Sequence, residues 1–141
     1  MAGSLTDTWE KKVLDYLLRN TSLSLDASNN WIALFTAAPS DSSTGTEVTG
    51  GSYARVAINR TGTGWSASSG TTPATSNPAA TVTFATATAN WGTIVSFGIC
   101  NSLAGALSTD LMFWGDLSAS KVVNNGDTAS FAAASLSVTC D

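Results

Sequence analysis

Little in this chain is equipped for chemistry, and the residues that could do it are quickly enumerated. There is no histidine among the 141 residues, so a Ser-His-Asp arrangement in its ordinary form is excluded. Two carboxylate pairs have the spacing to be considered for glycoside cleavage, Asp41 with Glu47 and Asp110 with Asp116, since that reaction needs an acid and a base on opposite sides of one bond. Each lies in a turn-like context, where a carboxylate caps or solvates. Asp26-Ala-Ser-Asn-Asn30 has a superficial likeness to a calcium loop, but no glycine follows at the sixth position and Ala37 stands at the twelfth. Asp26 therefore reads as a turn former. Two cysteines, Cys100 and Cys140, each close an apolar run. A zinc site needs about four Cys or His ligands; a disulfide is open to them if their strands are neighbours, and a reducing cytoplasm favours buried free thiols. The expectation is no enzyme, no cofactor and no metal.

Charge narrows the field further. Charged residues make up 11% of the chain, less than half the roughly 25% of an ordinary soluble domain. A surface so poor in charge presents hydroxyls, amides and small apolar groups, which suits permanent packing against other protein. The net charge of −4 and the lack of clustered Lys and Arg argue against nucleic acid. No apolar run approaches the ~18 residues of a membrane span. Met1 to Asp7 lacks the basic and apolar regions of a signal peptide, which predicts use without export.

The elements that would present such a surface fall into two stretches, residues 1–30 and residues 31–141. In the first, Thr6 or Asp7 can cap a helix and Asp7 to Glu10 has capping-box spacing. Trp9, Val13, Tyr16 and Leu17 recur at helical spacing, Leu14 and Leu18 widen the stripe, and Asn20 is a natural stop. This predicts an amphipathic helix of about three turns covering an end or face of the body, with docking on a neighbouring subunit as its alternative role. The second stretch is written in short β runs: Trp31 to Thr36, Tyr53 to Asn59, Thr81 to Ala85, Thr93 to Cys100, Leu111 to Gly115 and Ser135 to Cys140. Val122 to Thr128 reads as strand, turn, strand around Asn-Gly. The pattern predicts seven or eight strands in a mainly β antiparallel β-sandwich with one N-terminal helix.

Alternation from Tyr53 to Asn59 places Ala54, Val56 and Ile58 on one face and Tyr53, Arg55 and Asn59 on the other. Trp31, Trp91 and Trp114 lie in apolar runs and are expected in the core. Trp65 stands alone in the Thr61 to Pro78 segment of Thr, Gly, Ser, Ala, Pro and Asn. It either pins that loop to its own sheet or anchors an interface. Trp65, Trp9, Tyr53 and Arg55 are accordingly the candidate protein-interface residues.

As a series, Trp31-Ile-Ala-Leu-Phe-Thr-Ala-Ala-Pro39, Gly45 to Arg55, Thr81 to Phe84, Ala89-Asn-Trp-Gly92, Phe113-Trp-Gly-Asp-Leu117 and Asn125 to Phe131 resemble a family of small structural proteins of tailed bacteriophages. Its members are often labelled tail-fibre proteins, and relatives look like capsid cement (decoration) proteins with a jelly-roll-like sandwich. The resemblance covers residues 31 to 141. It implies a virion protein, assembled in the bacterial cytoplasm, that stabilises the head by multivalent contact with the major capsid protein and with copies of itself. A tail-fibre or tail-tip component, partnered by tail proteins and touching the host, is the alternative it implies.

Overall fold

The computed structural model describes residues 4–70 and 73–140. The chain runs β1 (Ser4–Leu5), α1 (Asp7–Arg19), β2 (Asn29–Ala37), β3 (Thr46–Glu47), β4 (Val56–Asn59), β5 (Ala74–Ser76), β6 (Val82–Thr83), β7 (Gly92–Cys100), α2 (Leu107–Asp110), β8 (Leu111–Val123), β9 (Ser130–Phe131) and β10 (Val138–Cys140). The fold is mainly β and its named strand pairs are antiparallel. One six-stranded sheet has the order β1-β8-β7-β2-β3, and β4 shares the outer edge of β2 with β3. Two small ribbons, β5 with β10 and β6 with β9, supply the second layer.

Strand β2 shows why the sheet sits in the middle. Its residues Ile32 to Phe35 are all buried, the continuous apolar run of a strand covered on both sides. Ile32 and Leu34 join the large core with Phe97, Ile99, Met112 and residues of both ribbons, whereas Ala33 and Phe35 join a smaller cluster with Cys100 and Leu111. An aromatic chain runs through the large core: Tyr53 meets Trp91 edge-on at 5.4 Å, and Phe84 links both to Phe131 and thence Phe97. On the smaller side, a Cβ at Gly98 would come within 2.5 Å of Leu111 and 2.8 Å of Phe35. Only glycine lets these two side chains meet over the strand.

The expected runs appear as β2, β4, β6, β7, β8 and β10, with shifted bounds, and ten strands are described in place of seven or eight. Strand β8 absorbs the charged and Ser-rich stretch after Gly115 and continues to Val123, where Gly126 (φ 91°) turns the chain back. The stretch between β7 and β8 contains the one-turn helix α2. Residue 30 lies inside β2, and β1 pairs with β8 through Ser4–Trp114 and Leu5–Phe113, so residues from both predicted stretches share the main sheet.

Helix α1 matches its predicted length but not its predicted packing. Asn20, in the left-handed region at φ 56°, ends it as expected. Thr6 is the N-cap residue yet makes no side-chain cap; its hydroxyl donates to the Leu111 carbonyl at 2.8 Å and its N–H to Met112. The capping box is set aside in favour of tying the helix to β8. Thr8 and Lys12 reinforce that tie through the Ser108 and Thr109 carbonyls. The first half of α1 is therefore held down and Trp9 is buried, while the second half overhangs. Leu14, Tyr16, Leu17 and Leu18 are all at least half exposed. The predicted covering stripe covers little beyond Trp9 because the anchoring bonds lie in the first two turns.

Candidate interaction surface

Two places gather the residues of interest. The first is a buried ionic knot. Strand β3 contributes Glu47, the turn before β4 contributes Arg55, and the end of α2 contributes Asp110. Arg55 donates from Nε and Nη2 to the two oxygens of Glu47, each at 2.8 Å, from Nη1 to Asp110, and to the carbonyls of Ser102 and Gly105. The guanidinium is thus bonded on all three nitrogens and pulls the 101–110 loop against β3. Gly105 makes the approach possible, since a Cβ there would lie 2.6 Å from Asp110 Cγ. Burial works against the Arg55 charge, but the Glu47 hydrogen bonds and the Glu47 and Asp110 charges outweigh it and hold its pKa above the ordinary value.

Tyr53 donates from its hydroxyl to Glu47 Oε1 at 2.9 Å and accepts from the Leu34 N–H. Burial, with Glu47 beside it, pushes the phenol well above its usual range. Cys100 lies near enough to feel the knot. Burial raises its thiol to about 12, with Arg55 opposing and the two carboxylates adding. It is a free, buried cysteine; the Cys140 side chain lies outside the described residues.

This arrangement revises the sequence reading of strand β4. Alternation places Arg55 outward and Ala54 inward, but Arg55 is buried and Ala54 exposed. The strand begins at Val56, so Arg55 is free of its alternation and turns in toward two carboxylates. The candidate acid pairs are separated by the same event. Glu47 and Asp110 are both engaged by Arg55, and Asp116 lies exposed on β8. Asp26 is the turn former expected: its Oδ1 accepts from Ser28 and Asn29 N–H, which holds its pKa below the ordinary value.

The second place is an apolar recess of about 300 Å³ beside α1. Trp9 and Val13 of α1, Leu23 and Leu25 of the connector, Ile99 of β7, Met112 and Phe113 of β8, Val138 of β10 and Trp65 line it, with Arg60 and Asn30 among its polar members. Trp65 is only partly buried, bridges to Pro78 and packs on the large core. Its structural position therefore combines the two roles open to it: it holds its loop to the body and it presents a ring to the recess. The Nε1–H groups of Trp9 and Trp65 are buried without an acceptor. Of the four interface candidates, the structure brings Trp9 and Trp65 together at the recess and Tyr53 and Arg55 together at the knot.

A match to known sequences bears on what such surfaces are for. Residues 4–139 match the model of a family described as podophage GP4 fiber I protein gp80. The chain belongs to that family. No curated protein matches it. The fibre I family match spans α1, the main sheet and both ribbons, so the helix that carries the exposed leucines lies within the family's own extent. Sequence reasoning missed the recess because its walls come from separated segments spread from Leu5 to Val138. The overhang of Leu14, Leu17 and Leu18 was missed as well, because so broad a stripe reads as a face that covers the body.

Proposed function

We propose that this chain is a non-enzymatic structural subunit of a podophage virion that acts in the fibre through protein–protein contacts, with copies of itself and neighbouring tail proteins as partners. The observation that carries the reading is the fibre-family match across residues 4–139. The molecule's own chemistry agrees with it. Its best-placed carboxylates are committed to Arg55, and its exposed large apolar residues are concentrated on one helix.

The fibre reading replaces the head lattice as the first place to look, because the family's description names a fibre. Immunogold labelling of purified virions, with mass spectrometry of the same particles, tests it. Label on the tail or its fibres is the expected result. Label spread over the head lattice would overturn the fibre placement in favour of a cement role on the major capsid protein. Absence of the protein from purified particles would overturn the structural role itself.

A further inference from the structure

The free end of α1 and the recess beside α1 are complementary, and they lie on the same chain. Leu17 is 68% exposed and Leu18 79%, the most exposed large apolar side chains of the helix. The recess offers an apolar seat of about 300 Å³, the liquid volume of about ten waters, and apolar walls hold water poorly. The polar groups match as well. Asn20 and Thr21 N–H both turn back to the Asp15 carbonyl, which leaves the Leu17 and Leu18 carbonyls without a partner among the described residues. The C-terminal end of a helix carries partial negative charge, and Arg60 brings a cation to the recess.

We propose that the last turn of α1 from one copy, led by Leu17 and Leu18, seats in the recess of a second copy. Ridge-to-ridge pairing of two α1 helices would cover the leucines but leave the recess unoccupied; the knob-in-recess contact uses both surfaces. Such a contact is heterologous. Repeated, it closes into a ring or continues as a filament according to its rotation. It deepens the preceding reading by naming the contact between copies, and rests on it only for where in the virion the assembly belongs.

Analytical ultracentrifugation of the purified full chain tests the proposal. Wild type is expected to self-associate with rising concentration. Leu17→Gln with Leu18→Gln removes the knob from an exposed site, so it should keep the wild-type melting temperature and associate about thirtyfold more weakly or worse. Leu23→Arg blocks the recess and should also be monomeric. An equimolar mixture of the two variants should form a one-to-one heterodimer and stop there, because one intact knob remains for one intact recess. A wild type that stays monomeric at its solubility limit, a knob variant that assembles like wild type, or a mixture that forms no heterodimer overturns the proposal. If Leu23→Arg does not fold, a photo-crosslinking residue at position 18 decides the matter. Cross-links to Leu23, Trp65 or Val138 of another copy support the contact, and cross-links to positions 14–18 of another copy reject it. Virion labelling does not enter this result, so the two readings fail separately.

Discussion

Around Arg55 the chain answers its own polar groups, whereas beside α1 it leaves them unanswered. In the knot, one guanidinium is bonded to two carboxylates and two carbonyls, and loop, strand and helix end are drawn into a closed unit. At the recess, two indole N–H groups have no acceptor and one turn of helix carries leucines into solvent. Both regions are assembled from distant segments, so distance along the chain does not separate them. The difference is whether the partner groups are supplied from within. A region completed from within holds the fold; one left incomplete is where another molecule can be of use.

The sharpest way to break this comparison is Arg55→Met. Removing the cation strands Glu47 and Asp110 in a place with little solvent, and loss of one partner of a buried ion pair costs about 3–5 kcal/mol. Urea unfolding should show a loss of that size. Adding Glu47→Gln and Asp110→Asn should return part of it, because the penalty lies in uncompensated charge; no recovery would mean that packing, not charge, holds the loop.

Trp65→Ala comes next. The ring is only partly buried, so the expected loss is about 2 kcal/mol, roughly half that of a fully buried aromatic. A thermal transition unchanged from wild type would show that Trp65 does not hold its loop to the core.

Alkaline pH sharpens the comparison through the smallest single step, the change per pH unit. The Cys100 thiol is raised from an ordinary 9.0 to about 12, so the unfolded chain loses this proton first. Stability present below pH about 9 should therefore fall between about 9 and 12, by up to about 1.4 kcal/mol per pH unit. Tyr53 is shifted in the same direction, so the thiol's share is the part of the slope that Cys100→Ala removes. Denaturant titrations of both proteins across that window measure it, and identical slopes would detach Cys100 from the effect.

The strands with long apolar runs were legible because the runs and the turn residues that bound them mark them: β2 extends past its predicted limits by two residues at its start and one at its end, and β7 by one at its start. Of the two- and three-residue strands, β6 and β10 fall within predicted runs, but β1, β3, β5 and β9 were not separable in advance. Their pairing is fixed by what they lie against, not by their own sequence. Arg55 was misplaced because alternation was extended three residues too far, over Tyr53 to Arg55, which lie outside β4. A signal was available in this charge-poor chain: Glu47 and Arg55 flank the Gly50-Gly51 turn, where opposite charges are brought face to face. The packing of α1 could not be read from its stripe, because Thr6, Thr8 and Lys12 decide which half is held down. None of the three is apolar.

That tether also sets an order of events in synthesis. The acceptor for the Thr6 hydroxyl is the carbonyl of Leu111, 105 residues later. At roughly 5–20 residues per second, the helix waits on the order of 5–20 s before its docking site has even been made. During that interval Trp9 has no cover and the whole stripe of α1 is bare. A nascent chain on a crowded ribosome then shows its neighbours the same helix that the finished subunit later shows in part, and productive docking competes with premature encounter from the first turn onward.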